Sequence, residues 1–261
     1  MDEATITLPV ISQEYLYFLR SDGEEIWLRH SGETKIALAH HKPSNADVVI
    51  KMFKDSSFVD IRHEATVNYI MGDTGYVPEF LGLTQSGSSL SNLSIVQEYF
   101  AEGQTLQDTM CLVHKFDLQV KLVLAIQLAE AMSSFHQRDF IISNFKTDNI
   151  LFDFVDNYPV IKLIDLGKCT LQYGYTVSKS DDLDSLDYLA PELKDGGVTS
   201  FAADVYGLGV ILRDIFEGCV DVNATGLIKR CMEEDPRLRP SAEEAAGHIM
   251  DILSNMNERH S

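Results

Sequence analysis

Basic residues are scarce in this chain. Lys and Arg number 21 against 40 Asp and Glu in 261 residues, a formal charge of −19 at neutral pH, with a pI of about 4.6. Such a surface repels nucleic-acid phosphates and anionic lipid, so neither nucleic acid nor membrane is expected as a partner. Cysteine is sparse too. Cys111, Cys169, Cys219 and Cys231 lack the close C-x-x-C spacing of a zinc site, and they read as reduced thiols. No stretch of about 18 apolar residues is present. Met1-Asp2-Glu3 does not open a secretory signal, and Asp2 stands where N-myristoylation needs glycine. The expectation is a soluble, cytoplasmic protein. Repeats and low-complexity segments are also missing.

What is present is enough apolar residue, 45% of the chain, for a sizeable core in one or two domains. The first hundred residues alternate short strand-like segments at Glu25 to Leu28, Thr34 to Ala39, Asp47 to Phe53, Phe80 to Leu83 and Leu93 to Val96. Residues 85–92, rich in Ser and Gly, read as the turn of a hairpin joining the last two. One helix, about Phe58 to Met71, interrupts the strands. From Leu106 onward helical periodicity dominates: Leu122, Leu124, Ala125, Leu128, Ala129 and Met132 recur at three- and four-residue spacing. A second apolar helix is predicted from Asp204 to Phe216.

Short motifs carry the chemistry. Asn144-Phe145-Lys146-Thr147-Asp148-Asn149 is followed, sixteen residues after Asn149, by Asp165-Leu166-Gly167. Val48-Val49-Ile50-Lys51 ends an apolar strand, and Glu64 comes thirteen residues later on the predicted helix. Ala190-Pro191-Glu192, Asp204-Val205-Tyr206-Gly207 and Asp235-Pro236-Arg237-Leu238-Arg239-Pro240 follow in that order. This series resembles the protein kinase superfamily, of the serine/threonine type, over roughly residues 24–255.

The resemblance implies an α+β, bilobal protein-kinase-like fold: a small β-rich N-lobe with one helix (about 24–98) and a larger helical C-lobe (about 101–255). Residues 1–23 would be an N-terminal extension and 256–261 a tail. Only about ten residues separate Phe216-Glu217 from Leu227-Ile228, so the αG region should be shortened. It further implies ATP and magnesium as ligands. Lys51 would pair with phosphate, steadied by Glu64, while Asp165 and Asn149 would hold the metal. Lys146 matches the catalytic-loop lysine. Gln97 would be the gatekeeper, backbone groups at Glu98 and Phe100 would bind adenine, and Val49 and Leu151 would pack on its faces. Arg239 would pair with Glu192, and Asp204 would anchor the catalytic-loop backbone.

Several parts depart from the family pattern. Asn144 stands where the kinase Asp accepts the substrate hydroxyl's proton, and an amide is almost non-basic. The loop His and Arg are replaced by Ile142 and Ser143, so docking of a phosphorylated activation loop is not expected. Glycine-loop positions fall on Arg29, Ser31 and Thr34, with only Gly32 nearby. His136-Gln137-Arg138-Asp139 imitates the missing motif, but Asp139 lies ten residues before Asn149 instead of five. Asn68, one turn after Glu64, would be a polar intruder. The reading is a pseudokinase that binds ATP and magnesium and acts through a protein partner or an active kinase. A weak or atypical serine/threonine kinase and a purely structural interaction module stand as alternatives.

Overall fold

The computed structural model describes residues 6–30, 34–85, 93–176, 188–219 and 222–258. The chain forms two compact units: Met1–Gly103 with Ile164–Gly167, and Gln104–Leu163 with Lys168–Ser261.

Unit 1 is a sheet with one helix. β1 (Leu16–Phe18), β4 (Trp27–His30), β5 (Thr34–His41), β6 (Ala46–Phe53), β7 (Phe80–Gln85) and β8 (Leu93–Glu98) pair in the order β1-β5-β6-β8-β7, with β4 also on β5. β1 and β4 share one edge of β5 in succession. Between them, the short pair β2 (Arg20–Ser21) and β3 (Glu24–Glu25) loops out. Leu19 donates to the Leu38 carbonyl, and Leu38 donates in turn to Ile26, closing the base of this excursion. Its Asp22-Gly23 turn has both residues left-handed, at φ 53 and 87, as a two-residue hairpin requires.

Residues 6–11, expected to be part of an extension, are built into unit 1. Val10 bridges Leu83 in parallel. Leu83 donates to the Pro9 carbonyl and Ile11 donates to that of Leu83, so this segment covers the outer edge of β7. Gly82 permits it: φ is 154, and a Cβ there would lie 2.9 Å from the Pro9 oxygen. Leu8 joins Ile61, Ala65, Phe80, Leu83, Leu93 and Ile95 in one core. Ile11 joins Ala39, Val48, Ile50 and Val96 in another. Helix α1 (Phe58–Met71) begins at a capping box in which Ser57 accepts from Asp60 and is bonded in return. Its bounds match the expectation from sequence. The turn at 86–92 lies outside the described residues, although Gln85 and Leu93 pair as its hairpin requires.

Unit 2 is mainly helical. α2 (Leu106–Val113) starts at a Thr105/Asp108 capping box and α3 (Leu118–His136) at Asp117. α3 is the centre: Leu122, Leu124, Ala125, Leu128, Ala129, Met132 and Phe135 are all fully buried. By length and composition alone it could cross a membrane, but most of it is covered within the unit. β9 (Phe140–Ile141) pairs with β12 (Thr170–Leu171). β10 (Ile150–Val155) and β11 (Tyr158–Leu163) form a hairpin across left-handed Asp156 and Asn157. α4 (Pro191–Lys194), α5 (Phe201–Ile215), α6 (Val222–Cys231) and α7 (Ala242–Glu258) complete the unit, and α3 packs on α5 and α7. Among the described residues no helix lies between α5 and α6, which is the shortening expected there. All four cysteines are free, and burial pushes the Cys231 thiol up to about 12.

Candidate nucleotide and metal site

In unit 1 the alternation of β6 puts Val48 and Ile50 into the core and turns Lys51 toward α1. Its ammonium donates to Glu64 Oε1 at 2.6 Å and to Asp165 Oδ1 at 2.8 Å. Side chains of Lys51 and Glu64 are 9% and 5% exposed, whereas that of Asp165 is 51% exposed. Asp165 is therefore the member of the cluster that can also meet a ligand from solvent. Its backbone is left-handed, φ 61, unusual for a non-glycine residue. Gly167 leaves room for the carboxylate: a Cβ there would lie 3.1 Å from Glu64 Oε2.

Charge in this cluster is finely set. Burial alone would lower the pKa of Lys51, but the carboxylates of Glu64 and Asp165 outweigh it and hold the ammonium above its ordinary 10.5. Glu64 is raised as well, because burial disfavours its anion by more than Lys51 compensates. One ammonium between two carboxylates leaves the group net anionic, a fit for a divalent cation bound beside phosphate.

Gln97 and Asn68, far apart in sequence, meet in the interior. Gln97 Nε2 donates to Asn68 Oδ1 at 2.8 Å, and Asn68 Nδ2 donates to the Glu64 carbonyl at 2.8 Å. Asn68 is thus a satisfied polar group. Sequence reasoning named both residues and missed their pairing. Val49 stands opposite Gln97 in the β6–β8 register. The Glu98 amide donates to the Glu79 carbonyl, and the Phe100 carbonyl accepts from Gly103. Arg29 and Thr34 lie on β4 and β5. Ser31 and Gly32 lie outside the described residues.

In unit 2 Asp204, in the first turn of α5, holds the loop before Asn144. Its carboxylate accepts from the Ile142 amide at 2.7 Å and the Ser143 amide at 2.8 Å, as expected, and pairs with His136 Nε2 at 3.0 Å. The histidine contact had no sequence signal beyond its place at the end of α3. Ser143 is left-handed, φ 65, and its buried hydroxyl has no partner among the described residues. Asn149 Nδ2 donates to the Asn144 carbonyl at 3.1 Å. That leaves the Asn149 Oδ1 without a hydrogen bond among the described residues, a hard oxygen of the kind magnesium takes. Lys146 Nζ lies 5.6 Å from the centre of the Tyr188 ring. Leu151 is buried on β10 beside Thr105. Asp139 is exposed, and its carbonyl accepts from Gln172. Arg239 forks onto both Glu192 oxygens, at 2.7 and 2.8 Å, as expected.

Among the described residues no group of three or more His, Cys, Asp or Glu could hold a metal unaided. Asp165 in unit 1, with its half-exposed carboxylate, and Asn149 in unit 2, with its Oδ1, each offer an oxygen of the hard kind that magnesium takes.

The model of the protein kinase domain family matches residues 31–223. Serine/threonine-protein kinase PrkC of Bacillus subtilis is 26% identical over 199 residues, 70% of this chain and 30% of that protein. Serine/threonine-protein kinase STY17 of Arabidopsis thaliana is 23% identical over 202 residues, 65% of this chain and 34% of that protein. Serine/threonine-protein kinase Sgk1 of Bos taurus is 22% identical over 229 residues, 84% and 51%. The chain thus spans about a third to a half of the length of these relatives.

Proposed function

Because the chain belongs to the protein kinase domain family, we propose that it is a pseudokinase: it binds ATP with magnesium, transfers phosphate poorly or not at all, and acts in the cytoplasm through a protein partner. The observation that carries this reading is a contrast within one set of motifs. Lys51, Glu64 and Asp165 are joined by hydrogen bonds of 2.6 and 2.8 Å, while the place of the proton acceptor holds Asn144.

Each residue then has a definite task. Lys51, held by Glu64, offers its ammonium to phosphate oxygens. Asp165 and the Asn149 carbonyl oxygen are the magnesium donors, and the bound ion would neutralise phosphate charge. Lys146 adds a second cation toward the terminal phosphate. Backbone groups at Glu98 and Phe100 hold the adenine edge, with Val49 and Leu151 on its faces. Asn144 can position a hydroxyl but cannot take its proton, since a carboxamide is not a base at neutral pH. Loss of an acid–base group typically costs about 10²- to 10⁴-fold in rate.

Titration of ATP with and without magnesium against melting temperature tests the binding half. At a hundred times the dissociation constant, linkage gives about 2.7 kcal/mol of stabilisation. No shift at millimolar nucleotide would instead favour a purely structural interaction module. A weak serine/threonine kinase is the second reading, favoured by the intact Lys51–Glu64–Asp165 cluster and by the names of the similar proteins. Phosphotransfer by the wild type that Lys51→Met, Asp165→Ala abolishes would establish it.

A further inference from the structure

The pair Asn68–Gln97 has a role that core packing does not explain. Asn68 is 1% and Gln97 7% exposed. A buried primary amide left unsatisfied costs about 1–3 kcal/mol, whereas two apolar groups of like shape in its place are nearly neutral. Stability is therefore not what distinguishes two amides from two hydrocarbons here. Direction is. The bond from Asn68 Nδ2 to the Glu64 carbonyl lies within α1 and locks the asparagine rotamer. Its Oδ1 is thereby aimed out of the helix at Gln97 on β8. One turn earlier on the same helix, the Glu64 carboxylate holds Lys51. Rotation of α1 about its axis would break the Gln97 bond together with the Lys51 ion pair. An apolar contact tolerates such rotation, but a 2.8 Å hydrogen bond does not.

We propose that Asn68 is a positioning residue: bonded to Gln97, it fixes the rotation of α1 so that Glu64 stays on Lys51 before any nucleotide arrives. A helix set beforehand spares the ligand the cost of ordering it, so apparent affinity follows the fraction of molecules already in the competent arrangement. The affinity arm of the test rests on the nucleotide-binding reading above. The exchange arm does not.

Four proteins are compared by amide hydrogen exchange across α1, by denaturant midpoint and by MgATP binding. They are wild type, Asn68→Leu/Gln97→Met, the exchanged pair Asn68→Gln/Gln97→Asn, and Asn68→Ser. The apolar double variant should keep its midpoint, exchange α1 amides about tenfold faster and bind MgATP about tenfold more weakly. The exchanged pair should return both toward wild type, a recovery that mere space filling would not produce. Wild-type exchange and affinity in the apolar double variant would overturn the proposal. Should that variant fail to fold, Asn68→Ser keeps a shorter oxygen toward Gln97. It should show intermediate exchange, and exchange at the wild-type rate would overturn the proposal equally. If no protein binds MgATP while exchange still separates the variants, the nucleotide reading fails and the positioning role stands.

Discussion

The Lys51 cluster of unit 1 and the catalytic loop of unit 2 are built to the same standard and equipped differently. In unit 1 the backbone is held and the charges are present: an ammonium, two carboxylates and a left-handed Asp165. In unit 2 the backbone is held just as firmly. Asp204 grips two amides and His136, and Asn149 fastens to the Asn144 carbonyl. Yet the side chains leaving that frame at 143 and 144 are neutral. Holding a loop and supplying it with a base are separate tasks, and the loop keeps its shape through atoms that take no part in proton transfer.

Restoring the missing group is the strongest way to break this contrast. Asn144→Asp should raise transfer of the terminal phosphate to a hydroxyl-bearing peptide by about 10²- to 10⁴-fold, or about 3–5 kcal/mol of barrier. An unchanged rate in a folded variant would show that the deficit lies outside the base. Taking away the frame comes next. Asp204→Ala strands two amides and His136, and should lower unfolding free energy by about 3–5 kcal/mol in a denaturant titration. A loss below about 1 kcal/mol would mean that the loop holds itself.

Arg239→Lys probes an ion pair that serves architecture alone. It keeps the charge and loses the fork onto Glu192 and Tyr206 beneath it. A fall of about 1.5–3 kcal/mol is expected from the lost charge-assisted bonds. The smallest effect is a pH dependence at Glu64. Its folded pKa lies above the ordinary 4.5, so the folded state binds the proton more tightly than the unfolded one. Its contribution is then most favourable below 4.5 and falls as pH rises through the folded value. Lys51→Met removes the cation that opposes this shift. The variant's stability should fall more steeply than the wild type's as pH rises from 4.5 toward neutrality, by about 1.4 kcal/mol per pKa unit gained. Parallel curves would show that Lys51 does little for Glu64.

Periodicity and motif spacing placed α1, α3 and most of the strands because those signals are local. Lys51, Glu64, Asp204 and the Glu192–Arg239 pair followed from fixed offsets within motifs. What escaped is non-local. Pro9 and Val10 look like linker residues, and nothing near them announces a parallel partner at Leu83, more than seventy positions on. The Asp22-Gly23 hairpin was hidden because residues 1–23 read as an N-terminal extension and only Glu25 to Leu28 read as a strand, so β1 and β2 had no expected partner. β10 and β11 were hidden under the motifs that flank them. Asn68 looked wrong on a helix until the side chain of Gln97 supplied its reason.

A practical boundary follows from the parallel edge at Pro9–Ile11. The family match starts at residue 31, and an expression fragment cut there would lose the cover over β7 as well as β1 and β4. Leu83 would then present a naked amide and carbonyl to any passing strand, the usual opening for self-association. Fragments meant to stay monomeric should begin upstream of Ile6.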